Sequence, residues 1–250
     1  MEDLVESIYH AVWHGDLERV RELVEDHGVN VNVRDENNWS PILCASAYDH
    51  LSVLKFLVQN GANVDSTGRM FNSMTTPLEM ACFNGHYAVV LFLLNHGANV
   101  NHGRLTPLHN ACEGGRLRIA QLLLACGADL ATTDPFGKTP LHSACLLGRL
   151  PLVRLLLAHG ANMSATDQIG KTPLHSACMW GRLSLIQLLL AQGANMSATD
   201  QFGRTPLHCA QDEGHHEVVH YLESVTKARQ CHDLVLYFVQ EGLFDREEAP

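Results

Sequence analysis

The sequence predicts an all-α solenoid built from stacked helix–turn–helix units. A Ser/Thr-Pro motif recurs six times along the chain, with its prolines at positions 41, 77, 107, 140, 173 and 206. Successive prolines are 36, 30, 33, 33 and 33 residues apart, and residues 160–167 repeat exactly the octapeptide of residues 193–200. A period of this length indicates supersecondary units that each bury an apolar face against the next one.

Residues 134–166 show how one unit is expected to fold. Thr139 suits the N-cap of a first helix, and Pro140 suits its first turn, where no backbone N–H is needed. Gly148 ends this helix and Gly160 ends the second, because glycine readily adopts the left-handed conformation of a helix C-terminus. Each unit is therefore a pair of short helices with a turn at either end.

The apolar positions of the same unit assign the core. Leu141, Ala144 and Cys145 follow at i, i+3 and i+4 and form one stripe on the first helix. The small Ala144 and Cys145 allow a neighbouring helix to approach closely. The second helix, which begins near Pro151, supplies mostly leucine to the interior.

The Thr-Pro-Leu-His motif and its 33-residue period resemble the ankyrin-repeat family up to about Ser224. The resemblance implies seven helix pairs with short β-hairpin fingers, over residues 1–224, in which the first and last repeats act as caps. Residues 225–250 are then expected to form a C-terminal capping helix and an acidic tail. The resemblance also implies that the motif histidines are structural; these are His109, His142, His175 and His208.

The charge distribution and hydropathy exclude several classes of partner. The net charge is −10, and residues 1–36 alone carry ten acids and three bases. Such acidity argues against nucleic acid, which requires a dense basic face. The longest apolar run, Tyr87 to Leu94, is shorter than the roughly 20 residues of a membrane span. We therefore expect a monomer in the cytoplasm or nucleus, without a membrane partner or a cofactor.

The cysteines are interpreted as core residues. Four of the eight, Cys82, Cys112, Cys145 and Cys178, follow an alanine at the same place in successive repeats. Stacked helices lie about 8–10 Å apart, whereas a disulfide needs Cα atoms within about 7 Å. These thiols should therefore be reduced, as in a reducing compartment.

One segment matches a catalytic signature. Residues 216–220 read His-Glu-Val-Val-His, the pattern of a zinc hydrolase helix. The repeat template already accounts for this segment as the second helix of the last repeat, and a catalytic zinc also needs a third ligand. We expect no metal site and no catalysis here, and a zinc hydrolase is kept as an alternative.

Asparagines at two turns are candidates for modification. Asn32 and Asn101 each follow a Gly-x-Asn-Val pattern, and in ankyrin-repeat proteins such asparagines are sometimes hydroxylated by an oxygenase. The simpler interpretation is a turn asparagine that bonds to nearby backbone.

The expected binding residues lie off the stacking stripe. Large side chains precede the glycine or other cap of several first helices: Trp13, Tyr48, Phe83, Leu146, Leu147, Met179 and Trp180. On a helix with 100° per residue, positions 146 and 147 point away from the stripe of Leu141. The finger tips add Trp39, Phe71, Phe136, Ile169 and Phe202, and equivalent turns add the cations Lys138, Lys171 and Arg204. A second cationic stripe is expected from Arg116, Arg149 and Arg182.

These patterns predict a non-catalytic protein-interaction module that acts as an adaptor, scaffold or inhibitory subunit. The concave face and the hairpin tips should hold a protein with an apolar segment flanked by acidic residues, because apolar patches mark interaction sites and cations steer acidic partners. A substrate-recognition subunit of a ubiquitin ligase is the alternative within the binding class.

Overall fold

Fourteen helices form seven consecutive pairs in the computed structural model, which describes residues 2–70, 73–103 and 105–240. The helices are α1 Glu2–His14, α2 Leu17–Glu25, α3 Pro41–Ala47, α4 Leu51–Gln59, α5 Pro77–Asn84, α6 Tyr87–Asn95, α7 Pro107–Gly114, α8 Leu117–Ala125, α9 Pro140–Leu146, α10 Leu150–Ala158, α11 Pro173–Met179, α12 Leu183–Ala191, α13 Pro206–Asp212 and α14 His216–Gln240. The predicted all-α solenoid of seven helix pairs is confirmed. Within these ranges, strand is confined to one antiparallel hairpin, β1 Gly68–Met70 with β2 Ser73–Thr75, in which Gly68 pairs with Thr75.

The Thr-Pro-Leu-His motif connects the first helices α7, α9 and α11 to the next repeat. The ring of His142 lies 2.8 Å from the cap hydroxyl of Thr139 through Nδ1, and 3.0 Å from the carbonyl oxygen of Lys171 through Nε2. His109 and His175 repeat this arrangement one unit on either side. Burial lowers the pKa of all three rings, which favours neutral imidazole. These histidines therefore join a helix cap to the following unit.

One leucine column runs through the second helices of the whole array. Its members are completely buried: Leu23, Leu57, Leu93, Leu123, Leu156, Leu189 and Leu222. The first helices contribute small side chains instead, and Cys82, Cys112, Cys145 and Cys178 are all buried free thiols. Burial raises the pKa of these thiols, so they remain protonated and behave as small apolar residues.

The packing of the helices indicates that the array curves towards its first helices. Successive first helices, such as α5 and α7, pack more closely against one another than successive second helices, such as α6 and α8. Alanine and cysteine on the first helices permit this approach, whereas leucine holds the second helices further apart. The first helices and the fingers consequently line the concave side.

The C-terminal helix is longer than the other second helices. α14 runs from His216 to Gln240, so the expected boundary at Ser224 falls inside a continuous helix. The side chains of residues 231–240, and residues 241–250 altogether, lie outside the described part of the chain. The capping role of residues 225–250 therefore stays a prediction. Among the described residues, no helix is both long and apolar enough to span a bilayer.

Candidate partner-binding surface

A row of side chains follows the C-terminal ends of the first helices along the concave side. We call this row the inner ridge; it comprises Trp13, Tyr48, Phe83, Leu146, Leu147, Met179 and Trp180. Trp13 and Trp180 are 56% and 51% exposed, and Tyr48 and Phe83 are also exposed, whereas the other three members are half-buried. Exposed aromatic side chains in such a row are available to contact another protein.

The first two repeats contribute a joined pair of rings to the inner ridge. The rings of Trp13 and Tyr48 lie 4.6 Å apart between centroids, with their planes inclined by 34°. Aromatic pairs at this separation stabilise each other, so neither ring needs a partner to be held in place. The N-terminal half of the ridge is therefore a preformed aromatic surface.

The inner ridge is interrupted at the fourth repeat. Glu113 and Gly114 occupy the equivalent positions, and a Cβ atom on Gly114 would lie 2.4 Å from the carbonyl oxygen of Phe83. Glycine is thus required there for the two repeats to pack. Burial, together with the nearby Asp134 carboxylate, raises the pKa of Glu113. The ridge therefore has an aromatic part over repeats one to three and an apolar part over repeats five and six.

Two phenylalanines stand out from the finger tips, as expected. Phe136 and Phe202 are each 65% exposed. The ammonium of Lys138 lies 5.8 Å from the centre of the Phe136 ring, and the guanidinium of Arg204 lies 5.0 Å from that of Phe202. Ile169, in the finger between them, is half-buried. These tips pair an apolar ring with a cation.

Trp39, another predicted finger residue, does not form the expected exposed tip. Trp39 packs against Leu43 and Met80, and its indole N–H donates to the carbonyl of Arg69 at 2.7 Å. Trp39 is therefore half-buried and does not form an exposed finger tip. Hydrogen bonding of the indole inside the first two fingers explains the difference. Phe71 lies outside the described residues.

The expected cationic stripe of Lys138, Lys171 and Arg204 is not continuous. Lys171 is only 8% exposed, and its ammonium lies 3.3 Å from the sulfur of Met179. Arg204 forms an ion pair with the buried Asp200 at 2.9 Å. Burial raises the pKa of Asp200, but hydrogen bonds from Arg204 and Phe202 outweigh it, and the net result is a lowered pKa. Lys171 is therefore packed against the ridge, and Arg204 is partly committed to its own finger.

Two of the three arginines in the second expected stripe link adjacent repeats. Arg116 donates from Nε to the carbonyl of Phe83 at 3.0 Å, and Arg149 reaches the carbonyl of Glu113 at 3.4 Å. Arg182 has its Nε buried without a hydrogen-bond partner. These side chains reach back because the carbonyls at a helix C-terminus lack intrahelical donors.

Histidines make the same kind of contact in other repeats, although the sequence pattern did not predict this role. The rings of His50, His86 and His215 lie 2.9–3.0 Å from the carbonyls of Trp13, Ala47 and Met179. The signal in the sequence is the position itself, immediately after each cap residue, where His or Arg recurs from the second repeat to the last. These contacts position the backbone of the inner ridge.

Both candidate modification sites connect adjacent fingers. The Asn32 side chain donates to the carbonyl of Gly61 at 2.9 Å and accepts from the N–H of Asn63 at 3.0 Å. Asn101 does the same with Gly127 and Asp129, at 3.3 and 2.9 Å. The hydroxylation of these asparagines stays a prediction, and their amides have a structural task that does not require it.

The zinc-hydrolase pattern lies on the surface of α14. His216, Glu217 and His220 are all exposed, and within the described residues no three His, Cys, Asp or Glu side chains are grouped to hold a metal ion. We expect the double variant His216→Ala/His220→Ala to bind as much zinc as the wild type and to keep its stability. Metal analysis of both purified proteins is the measurement. Stoichiometric zinc that disappears in the double variant would revive the hydrolase alternative.

Comparison with known proteins identifies the family. Three copies of the family model described as ankyrin repeats match residues 8–104, 101–167 and 161–231. The chain belongs to the ankyrin-repeat family. The crystal structure of the human ASB11 ankyrin repeat domain superimposes with a TM-score of 0.74 and 32% identity, over 81% of this chain and 90% of that domain.

Curated relatives share only part of this ankyrin-repeat array. Alpha-latrocrustotoxin-Lt1a of Latrodectus tredecimguttatus is 36% identical over 61 residues, which are 24% of this chain and 4% of the toxin. The human palmitoyltransferase ZDHHC13 is 39% identical over 80 residues, 32% of this chain and 12% of that protein. The matched part therefore spans a small fraction of each relative, and the shared feature is the repeat.

Proposed function

We propose that this ankyrin-repeat protein binds a partner protein along its concave side and acts as an adaptor, scaffold or inhibitory subunit without catalysing a reaction. One observation carries the proposal: the aromatic members of the inner ridge are exposed although the core of the stack is buried without them. The leucine column is fully buried beneath, whereas Trp180 remains 51% exposed. Tryptophan is enriched among the residues that dominate interface energy.

The chemistry of repeats four to seven describes the expected partner segment. Leu146, Leu147 and Trp180 offer apolar contacts, while Lys138 and Arg204 lie beside the exposed rings of their fingers. An apolar stretch flanked by acidic residues would complement both features. The charges would raise the association rate more than the affinity. A cytoplasmic or nuclear location belongs to this proposal.

Replacing Trp180 with Ala should weaken partner binding with little loss of stability. An interface anchor of this kind contributes about 2 kcal/mol, which corresponds to roughly thirtyfold in Kd. A partner recovered by pull-down would be titrated calorimetrically against the wild type and the variant, and both would be unfolded in urea. Leu91→Ala, an exposed leucine on the second helix α6, is the matched control and should leave Kd unchanged.

Two outcomes would contradict the proposal. If Trp180→Ala destabilises the fold as much as a core leucine variant, this residue belongs to the core and the ridge is not a site. If Leu91→Ala weakens binding as much as Trp180→Ala, the partner uses the convex side of the array.

A substrate-recognition subunit of a ubiquitin ligase is the narrower candidate. It would hold its substrate on the same concave side and would need a second contact for the ligase. Mass spectrometry of proteins captured by the wild type and by Trp180→Ala separates the two: a substrate is lost from the variant, whereas a ligase component bound elsewhere is retained.

A further inference from the structure

A groove of about 870 Å³ lies between α1 and the first finger. Tyr9 and Trp13 of α1 form one wall, and Trp39 at the base of the finger forms another. Carboxylates of Glu6 and Glu36 lie at its edges. The groove is thus lined by three aromatic rings and is open to solvent at an acidic rim.

The aromatic walls are held in place before any ligand arrives. The hydroxyl of Tyr9 lies within hydrogen-bond distance of the carbonyls of Trp39 and Val33, at 2.7 and 2.9 Å. Trp39 is fixed by the hydrogen bond from its indole N–H to the carbonyl of Arg69, and Trp13 by the contact of its ring with the tilted ring of Tyr48. A preformed wall lowers the entropic cost of binding.

The charge of the groove is negative. Glu6 and Glu36 are exposed at the rim, and Asp35, half-buried, accepts the backbone N–H groups of Asn37 and Trp39 with one oxygen. Among the described residues that line the groove, Arg34 is the one basic residue. Its guanidinium donates to the finger carbonyls of Asn38 and Thr67. Arg34 is thereby turned towards the backbone of the fingers.

The electrostatic effect of this arrangement is visible at Tyr9. Burial and the neighbouring Asp35 carboxylate raise the pKa of its hydroxyl, although Arg34 acts in the opposite direction. The Asp35 contribution agrees with the negative charge of the groove, whereas burial disfavours a charge of either sign.

We propose that this groove binds a lysine or arginine side chain from an extended segment of the partner protein. A cation over aromatic faces is attracted by the ring quadrupoles, and surrounding carboxylates add to that attraction. The acidic N-terminal 36 residues, with ten acids and three bases, extend the same field around the groove. The inference rests on the proposed binding function and adds to it a basic subsite at repeats one and two.

The subsite gives the bound segment a direction. Its basic residue lies at the N-terminal end of the array, its apolar residues lie on the inner ridge, and its acidic residues lie near Lys138 and Arg204. A segment laid in the reverse direction would place like charges together at both ends, which is unfavourable.

The test uses acetylated and amidated pentapeptides of sequence Gly-Ser-Arg-Ser-Gly, with lysine, citrulline or glutamate in place of arginine in parallel samples. Citrulline is the matched control because it keeps the shape of arginine without its charge. The indole N–H signals of the three tryptophans, assigned from single tryptophan variants, are followed by NMR during titration of the full-length protein. Glu6→Gln/Glu36→Gln is compared with the wild type, and Leu91→Ala is the control outside the groove.

Saturable shifts of the Trp13 and Trp39 signals are expected with the arginine and lysine peptides, and none with citrulline or glutamate. Affinity should fall about tenfold in the double Gln variant and remain unchanged in Leu91→Ala. Equal binding of citrulline, preference for glutamate, or an unaffected double variant would overturn the basic subsite. Such a failure leaves the ridge test with Trp180→Ala intact, since that test uses the whole partner.

Discussion

Replacing Leu156 with Ala should lower the free energy of unfolding by about 2–5 kcal/mol, the range for large-to-small changes in a packed core. Leu156 is completely buried in α10, and the equivalent Leu123 and Leu189 are buried in the neighbouring repeats. The variant therefore leaves a cavity in the middle of the leucine column, where the repeats on both sides depend on it. Urea unfolding followed by circular dichroism is the measurement.

Leu155→Ala is the matched control for this prediction. It removes the same atoms from the same helix, but Leu155 is only half-buried. Its loss of stability should be clearly smaller, because less apolar surface returns to water. Equal losses for the two variants would mean that the column is not where the array gains its stability.

Replacing Glu79 with Gln should make the protein more stable at neutral pH and remove a dependence of stability on pH. Glu79 stands where the later repeats carry the motif histidine, and it is 3% exposed. Its Oε2 accepts the N–H of Thr76 at 3.0 Å, while Oε1 is buried without a hydrogen-bond partner. Burial raises the pKa of Glu79 to about 7, although hydrogen bonds from Thr76 and Thr75 oppose the rise.

The sign of the effect follows from the direction of the pKa shift. Below the ordinary value of 4.5 the carboxyl of Glu79 is protonated in both states, and stability is fully present. As pH rises towards about 7, the unfolded chain ionises first, so stability is lost across this window. The loss is about 3 kcal/mol, at 1.36 kcal/mol per pKa unit.

The measurement is urea unfolding of the wild type and Glu79→Gln at several pH values from 4 to 8. The difference in unfolding free energy should grow by about 3 kcal/mol in favour of Gln as pH rises, while other carboxylates cancel between the two proteins. Glu18→Gln, at an exposed site on α2, controls for the loss of one charge and should run parallel to the wild type. A difference that is constant with pH would show that the pKa of Glu79 is the same in the folded and unfolded states, and would contradict the prediction.

Much of the fold follows from the amino-acid pattern. Thr139, Pro140 and Gly148 act through their own backbone preferences, so the start and end of α9 are readable locally. The period then places Leu123, Leu156 and Leu189 in one column, because equivalent residues of stacked units meet. The exposure of Phe136 and Phe202 is readable in the same way, since both stand at the tip of a turn.

Parts of the site depend on contacts between repeats, and no short sequence motif predicts those contacts. Lys171 and Arg204 occupy the same position in the motif, yet Lys171 is buried beside Met179 while Arg204 pairs with Asp200. The neighbouring side chain decides whether the cation is buried or forms an ion pair, and the repeat motif does not specify that neighbour. Trp39 is likewise half-buried because its indole N–H donates a hydrogen bond to the carbonyl of Arg69, thirty residues away in the chain.

The repeat, the caps of its helices, its buried column and the row of large side chains off the stacking stripe are thus encoded locally, since each arises from short-range preferences that recur in every repeat. The packing between repeats decided which of those side chains are free. It turned Arg116 and Arg149 into links between repeats, because helix carbonyls of the preceding unit lay within their reach. It also brought Tyr9 and Trp13 against the first finger, where residues far apart in the chain share one acidic, aromatic groove.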